Sequence, residues 1–460
     1  MKDSLARTLA VAAMLMAVAC HRGDQVDHSQ YAPAMQRLVA SAPTWVGRDR
    51  LATTLWKAER EFYASRNNVP AWFDGDKASP RLGTLLDALK HAEDHGLDPA
   101  RYDADRFQHA VAHAHENKGR YAVADISDID ARLTYAYLWY AADLLGWSGD
   151  PKAIFANWVR ASNKTDLAQQ LAGAVDSNRV RESLEELAPA HPQYKGLQTA
   201  LARERQNPSG HLEQILMNLQ RWRWMPRQLG DRYVFVNVPA YQMQVMEGDK
   251  PVLAMRVIVG DPKHETPLFS DEMTTVVFSP NWNVPESIIR NEMLPKLVDD
   301  PGFLQRQDIE VVGTSGQVVN AEAIDWFDDS AVARLHFRQQ PGPKNALGLV
   351  KFQFPNPFDV YLHDTPQDAL FNKEHRALSH GCVRLENPVA LAQYVLRDEP
   401  EWTVEKIDEA MNAGHEHAVA LKPHLPVHIG YFTAWVNPDG SVTYTDDPYK
   451  LDERQKAQRL

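Results

Sequence analysis

Apolar residues recur at three- and four-residue steps through the first half of the chain. This period places their side chains on one face of an α-helix. Turn-forming pairs separate the segments, as at Val69-Pro70 and Asp74-Gly75. The pattern predicts a helical domain over residues 32–205, with its clearest segments at RLATTLWKAEREFYA (50–64), RLGTLLDALKHAEDHGL (81–97) and ARLTYAYLWYAADLLG (131–146).

The apolar period changes after residue 230. A polar break at 202–210 leads into one connecting helix at 206–226, and apolar residues then alternate with polar ones. Alternation with a period of two, in segments rich in Val, Tyr and Phe, indicates β-strands. Strands are predicted at 232–238, 241–247, 252–260 and 273–279.

The mostly-β region covers residues 227–460 and has one interruption. Residues 286–344 contain a helix-like ESIIRNEMLPKL, a polar stretch and a Pro-Gly-Pro turn. We therefore expect an inserted capping subdomain there, followed by further strands and a helix at 388–397. The expected fold class is α+β and multidomain, with a helical N-terminal domain and a mostly-β C-terminal domain.

The N-terminus has the pattern of an export signal. Lys2 and Arg7 precede twelve apolar residues that end at Cys20. This run is too short to cross a bilayer but fits the core of a signal peptide. We expect residues 1–19 to be removed and Cys20, which follows a lipobox-like Ala-Val-Ala and begins a tether at 20–31, to carry a lipid. Simple secretion and an uncleaved anchor stay as alternatives.

The expected location follows from this signal. Asp after the lipidated cysteine is typical of retention at the inner membrane, and His21 stands there instead. We therefore expect a periplasmic protein of a Gram-negative bacterium, attached to the outer membrane by the lipid on Cys20.

Composition and charge exclude several classes of function. Hydrophobic residues make up 44% and charged residues 24% of the 460 positions, as in globular chains with sizeable cores. The net charge is -12, whereas binding to nucleic acid requires clustered cations. A mean hydropathy of -0.45 excludes a polytopic membrane protein. Two cysteines are too few for a disulfide scaffold.

The second cysteine belongs to a segment that suits nucleophilic catalysis. His363 lies at the end of a predicted strand, and Ser379-His380-Gly381-Cys382 follows after fifteen residues. A thiol is a weak nucleophile at its ordinary pKa, and a neighbouring imidazole activates it by taking the proton. Gly381 allows a sharp turn that aims backbone N–H groups at a developing oxyanion.

This motif resembles the signature of the YkuD-type L,D-transpeptidases, cell-wall enzymes with a His…[Ser/Thr]-His-Gly-Cys arrangement. The similarity covers nearly all of the mature chain and favours the larger, periplasmic, YcbB-like branch with a helical scaffold domain. Two departures stand out: there are too few residues for the peptidoglycan-binding module of many larger members, and Arg384 stands where Asn is common. The segments that carry the similarity are FYASRNNVPAWF (62–73), HGLDPARY (95–102), RWRWMP (221–226), NWNVPESI (281–288), PGPKNALGLVKFQFP (341–355) and YLHDTP (361–366).

The resemblance implies a mechanism without a metal or organic cofactor. Cys382 is the expected nucleophile and His363 the general base, oriented by a backbone carbonyl. The backbone N–H groups of Gly381 and Cys382, with His380, are expected to form the oxyanion hole. The implied substrates are peptidoglycan stem peptides joined by 3–3 cross-links during cell-wall biogenesis. Expected substrate-binding or supporting residues are Ser379, Arg384, Tyr361, Trp282 and Asn345.

Four alternatives were considered for the same residues. A hydrolase of this fold could use the same cysteine as an L,D-carboxypeptidase, an endopeptidase or a lipoprotein-detaching enzyme. A catalytically silent wall-binding lipoprotein is the alternative from another class. His363, His375, His380 and Cys382 could hold zinc, although their spacing fits no common zinc motif. A papain-like protease is excluded, because in those enzymes the catalytic cysteine precedes the histidine along the chain. In this sequence His363 precedes Cys382.

Overall fold

The computed structural model describes residues 30–109, 123–300, 302–326 and 328–459. The expected signal peptide, the lipidation site Cys20 and all but the end of the tether lie outside the described residues. Among the helices that the structure describes, none has the length and apolar character needed to cross a membrane.

Helices dominate the chain up to residue 230. Side chains cap several of them, as where Asp49 and Asp166 accept hydrogen bonds from the N–H groups of Ala52 and Gln169. The one pairing of strands in the described part of this region joins β1 (Phe73–Asp74) to β2 (Lys77–Ala78). The helices are α1 (Tyr31–Val39), α2 (Arg50–Ser65), α3 (Pro80–Lys90), α4 (Val123–Leu144), α5 (Pro151–Ile154), α6 (Leu167–Asp176), α7 (Val180–Glu185), α8 (Pro192–Gln206) and α9 (Leu212–Trp224).

The first compact unit comprises the described residues up to Ser148 together with Lys164–Ala188. A buried carboxylate on α4 holds it together, because Asp130 accepts hydrogen bonds from the N–H groups of Ala71 and Trp72 and from the hydroxyl of Tyr63. These bonds fix the turn after α2 to the longest helix. Most of the interior is apolar, as the helical period predicts, although Glu59, Thr134 and Asp143 are also buried there.

The second unit comprises Gly149–Asn163 and Pro189–Leu460 and is built on a closed sheet. In the described part of the chain its strand order is β13-β5-β14-β12-β11-β6-β15-β3-β4, and β4 also pairs with β5. Closure leaves few free strand edges. The strands are β3 (Arg232–Asn237), β4 (Gln242–Glu247), β5 (Lys250–Gly260), β6 (Phe269–Phe278), β11 (Val350–Gln353), β12 (Leu362–His363), β13 (Ala377–Ser379), β14 (Val383–Leu385) and β15 (His417–Gly430).

Alternation along the strands separates a core face from an outer face. Val350, Phe352, Leu362 and Val383 are fully buried and pack in one hydrophobic cluster. The residues between them, including His363, therefore lie on the opposite face of the sheet. Outside the sheet, the unit contains α14 (Pro388–Val395), α15 (Val404–Met411), the hairpin β16 (Ala434–Val436) and β17 (Val442–Tyr444), and α16 (Leu451–Arg459).

The segment between β6 and β11 has its own small core, which includes Ile289, Met293, Leu297 and Phe337. It combines short helices with a four-stranded sheet in the order β7-β10-β8-β9. Its elements are β7 (Trp282–Asn283), α10 (Glu286–Ile288), a π-helical turn (Ile289–Met293), α11 (Leu294–Asp299), α12 (Phe303–Arg306), β8 (Ile309–Val312), β9 (Val318–Val319), α13 (Asp329–Val332) and β10 (His336–Gln339).

The predicted fold class is confirmed: a helical N-terminal region precedes a mostly-β domain. The compact units divide differently from the predicted boundary at residue 205. Helix α8 packs against α9, and the side-chain amide of Gln193 exchanges two 2.7 Å hydrogen bonds with the backbone of Val436. Residues from 189 onward consequently belong to the β unit, although their helical period continues that of the first half.

Candidate active site

Strand pairing brings four polar side chains together on the outer face of the sheet. β12 and β14 run parallel, with Leu362 opposite Val383 and His363 opposite Arg384. The Val383 N–H donates to the Tyr361 carbonyl at 3.2 Å, which extends the pairing by one step. Because side chains alternate, Tyr361 and His363 share a face with Cys382 and Arg384. Residues 364–382 lie between these two strands and include the short strand at Ala377–Ser379.

The turn before the cysteine is held by a buried serine. The Ser379 hydroxyl accepts from the Gly381 N–H at 3.1 Å and donates to the Cys382 carbonyl at 2.5 Å. The Thr266 hydroxyl donates to the Gly381 carbonyl at 2.8 Å. Gly381 has a φ of +114°, a region that side chains other than glycine rarely enter. The loop therefore has a defined shape in the absence of substrate.

The sulfur of Cys382 is partly buried and lies beside Tyr361. Donor groups of the Tyr361 backbone and hydroxyl act to lower the pKa of its thiol. Burial raises the pKa of the Cys382 thiol to about 11, while these donor groups and the charge of Arg384 act in the opposite direction. Its S–H faces the Asp359 carbonyl at 3.9 Å. The resting group is therefore a thiol rather than a thiolate.

The imidazole of His363 is only 4% exposed. Burial and the nearby Arg384 lower its pKa to about 3, against the influence of the Asp364 and Leu347 carbonyls. The ring is therefore neutral. Its Nδ1 lies 2.5 Å from the Asp364 carbonyl oxygen and must carry the proton in that contact. The lone pair is consequently on Nε2, as a general base requires.

Two features expected of the oxyanion hole differ in the structure. The Gly381 N–H is already bonded to Ser379, so it is not free to stabilise an oxyanion in this arrangement. Within the described residues, the Cys382 N–H has no acceptor and is the better donor. The His380 ring turns toward Glu292, with Nε2 2.5 Å from Oε1, and packs against His264 at 4.7 Å between centroids.

The expected substrate-binding residues do not all face the site. Asn345 is 1% exposed, and its amide bonds to the carbonyls of Pro280 and Gln340 and to the Leu347 N–H. The sequence alone does not distinguish a buried amide that organises a turn from one that meets a ligand.

Three further expected substrate-binding residues, besides Tyr361 and Asn345, have different surroundings. Trp282 pairs with β10 and packs on the core of the inserted segment. Ser379 is buried in the loop, where its hydroxyl bonds to the backbone of Gly381 and Cys382. Arg384 donates to the Gln367 side chain at 2.7 Å while lying beside Cys382.

The sequence pattern does not indicate several residues that contact the site. Asp364 supplies the carbonyl that orients His363, and it follows that histidine directly in the YLHDTP segment. Thr266 and Glu292 reach the loop from other parts of the chain. Nothing in the spacing along the sequence indicates these contacts. Among the described residues no group of three or more His, Cys, Asp or Glu side chains could hold a metal ion, so the zinc alternative has no ligand set there.

Comparison with known proteins agrees with this geometry. Residues 231–408 match the family model of the L,D-transpeptidase catalytic domain, YkuD, and residues 57–201 match that of the Scaffold domain. A Haemophilus influenzae protein named "Putative L,D-transpeptidase" is 30% identical over 321 residues, which are 68% of this chain and 65% of that protein. The chain thus spans just under two thirds of that relative's length.

Solved structures give a weaker similarity. An L,D-transpeptidase from Mycobacterium smegmatis is 12% identical, over 43% of this chain and 58% of the other, with a TM-score of 0.21. L,D-transpeptidase 3 from Mycobacterium tuberculosis is 13% identical over 44% and 60%, with a TM-score of 0.20. TM-scores this low support no argument about the fold or the function of this chain. The family models identify the two parts of the chain: an N-terminal Scaffold domain is followed by an L,D-transpeptidase catalytic domain of the YkuD family.

Proposed function

We propose that this protein is a peptidoglycan L,D-transpeptidase that forms 3–3 cross-links through a thioester on Cys382. The observation that carries the proposal is the pairing of β12 with β14. It places the Cys382 thiol, which lies beside Tyr361, on the same face as an imidazole whose Nδ1 is fixed by a carbonyl. A nucleophile, its base and the group that orients the base are the three parts that such a reaction needs.

Acylation begins with proton transfer from the Cys382 thiol to Nε2 of His363. The sulfur attacks the carbonyl of the L,D-bond between the diamino acid and the terminal D-Ala of a tetrapeptide stem. The C–N bond then breaks, His363 returns the proton to the departing amine, and free D-Ala leaves. A thioester between the tripeptide and Cys382 remains, and all protons and electron pairs are accounted for within the pair.

A neutral resting pair suits this sequence of steps. With a thiol pKa of about 11 and an imidazole pKa of about 3, the ion pair is not populated before the substrate binds. The proton therefore moves as the sulfur attacks. The Tyr361 donors stabilise negative charge on sulfur, and the Cys382 N–H is the donor proposed for the developing oxyanion.

Deacylation requires an amine from a second stem. Its nitrogen attacks the thioester carbonyl, His363 accepts the ammonium proton, and the amide of a 3–3 cross-link forms while the thiol is restored. Water as acceptor would instead give a tripeptide, and another amine would give exchange or attachment. The acceptor must therefore be identified from the products.

The proposed place of action is the periplasm. The export signal at 1–19 and the lipobox-like cysteine support attachment of Cys20 to the outer membrane, facing the cell wall. Labelling cells with a radioactive fatty acid tests this directly. Loss of label in Cys20→Ser would support the lipid, and retention of label would refute lipidation at this residue.

The activity is tested with disaccharide-tetrapeptides and mass spectrometry of the products. The exported chain is compared with its Cys382→Ala variant. A dimer that has lost one D-Ala, formed by the wild type alone, is the expected result. Tripeptide monomers alone would identify a hydrolase, and no product from either protein would favour the silent wall-binding alternative.

A further inference from the structure

A pocket of about 330 Å³ lies within the helical unit, apart from the catalytic residues. Its walls come from the chain before α2, from residues 101–107 and from α4. Three aromatic rings form a row in the lining. Trp45 and Tyr135 are 5.4 Å apart at 69°, and Tyr135 and Trp139 are 5.7 Å apart at 53°. Its volume is in the range of small-molecule sites.

Two arginines flank this row of rings. The Arg132 guanidinium lies 4.9 Å from the centroid of Trp45, and that of Arg101 lies 5.4 Å from Trp139. Helix α4 supplies Arg132, Tyr135 and Trp139 at positions i, i+3 and i+7, which lie along one helix face. The pocket therefore combines apolar ring surface with planar hydrogen-bond donors.

The charges around the pocket are balanced. Arg132 bonds to Asp128 at 2.7 Å, and Arg101 lies 3.7 Å from Asp143. The exposed carboxylate of Asp103 also lines the pocket. An anionic ligand would gain little binding free energy from arginines that are already paired with carboxylates. The lining favours a neutral ligand that both donates and accepts hydrogen bonds.

Two indole groups of the lining have buried N–H donors. The Nε1 atoms of Trp45 and Trp139 are buried, and within the part of the chain that the structure describes they have no hydrogen-bond acceptor. Buried donors without acceptors are rare in native proteins.

We propose that this pocket binds an uncharged sugar unit of a glycan strand, of the N-acetylated hexosamine class. The C–H face of a pyranose packs on aromatic rings, and its hydroxyl and acetamido groups both donate and accept hydrogen bonds. A proline-rich peptide would offer acceptors but no donors for Asp103. The inference goes beyond the proposed function, because it gives the scaffold domain a role in holding the wall polymer.

The test uses the full exported chain carrying Cys382→Ala, so binding is measured without turnover. The probe is the tetramer of β-1,4-linked N-acetylglucosamine, followed by calorimetry and tryptophan fluorescence. Arg132→Ala and Trp139→Ala are expected to weaken binding at least about fivefold each, the effect of removing a central aromatic or arginine contact. Arg181→Ala is the matched control, because Arg181 is exposed and paired with Asp87 at 2.8 Å elsewhere in the same unit.

The outcomes separate a sugar site from general adsorption. Binding that changes less than about twofold between low and moderate salt is expected, because no net charge is neutralised. Three results would each overturn the proposal. The first is that the tetramer does not bind when the pocket is unsubstituted. The others are that Arg181→Ala weakens binding as much as the pocket variants do, or that salt weakens binding strongly. Thermal unfolding checks each variant. If Trp139→Ala does not fold, binding of the tetramer is compared in Trp139→Phe and Arg132→Ala. The fluorescence change on adding the tetramer to the unsubstituted pocket then completes the test.

Failure here is distinct from failure of the proposed reaction. Cross-linking of disaccharide-tetrapeptides by the wild-type cysteine reports on the catalytic site, whereas the tetramer has no peptide and reports on the pocket. A protein that cross-links but does not bind the tetramer would refute this inference alone.

Discussion

The backbone N–H and the hydroxyl of Tyr361 lie beside the sulfur of Cys382 and act to lower the pKa of its thiol. The same ring lies 5.7 Å from the imidazole of His363. One residue thus contacts both members of the proposed catalytic pair. It lies two positions before the histidine on the same strand face, which makes its position a consequence of strand geometry.

Replacing the Tyr361 hydroxyl tests its contribution to the nucleophile. Tyr361→Phe keeps the ring and the backbone donor but removes one donor to sulfur. Hydrogen bonds to charged groups contribute about 1.5–3 kcal/mol, so acylation should slow about 10- to 100-fold. The rate of D-Ala release in a single turnover measures this. Unchanged acylation would show that the hydroxyl does not stabilise the thiolate.

The high pKa of Cys382 predicts an unusual pH profile for its alkylation. A pKa raised to about 11 means that the thiolate fraction grows through the whole range from neutral to alkaline pH. The rate with iodoacetamide should therefore rise about tenfold per pH unit up to about pH 10. A thiolate–imidazolium pair would instead give a plateau at neutral pH. Such a plateau would contradict the neutral pair.

The turn before the nucleophile should depend on the Ser379 hydroxyl. Ser379→Ala removes the acceptor of the Gly381 N–H and the donor to the Cys382 carbonyl. An unpaired buried group costs about 1–3 kcal/mol, so turnover should fall about 5- to 100-fold. Ser379→Thr is the conservative control, and Ser441→Ala on an exposed hairpin should leave turnover unchanged. Wild-type turnover in Ser379→Ala would show that the loop keeps its shape without this hydroxyl.

The inserted segment contacts the catalytic loop through Glu292 and His380. We expect Glu292→Gln to change the global unfolding free energy by less than about 1 kcal/mol, because the pair is partly exposed. Hydrogen exchange across residues 286–299 should nevertheless become faster, since the side-chain contact between Glu292 and His380 of the loop is weakened. We also predict that this segment acts as a lid over the site, so it should gain protection when a ligand acylates Cys382. Equal protection with and without the ligand would contradict the lid.

Sequence periodicity predicted the helical half and the long strands because each runs through several turns or alternations. It missed β13 and β14, since strands of three residues are too short to show a period. It also missed α15 and the C-terminal α16. Boundaries between units were harder, because α8 has the same period whichever unit it packs against.

The motif indicated Cys382 and His363 as the candidate nucleophile and base. It did not indicate which atoms accept hydrogen bonds from the backbone N–H groups of the loop. Spacing suggested the Gly381 N–H for the oxyanion, whereas the fold gives that group to Ser379. Asn345 was expected in the groove and is instead buried in the turn that precedes β11. Contacts of this kind depend on pairing between distant segments, which a single sequence does not encode in a readable pattern.

The most direct test is the mass of the protein during turnover. The exported chain is mixed with disaccharide-tetrapeptide, quenched in acid, and its peptides are mapped by mass spectrometry. We predict a disaccharide-tripeptide joined as a thioester to the peptide that contains Cys382, with D-Ala released in equal amount. No adduct should form in Cys382→Ala. Cross-linked product without an adduct on Cys382, or with the adduct on another residue, would contradict the account.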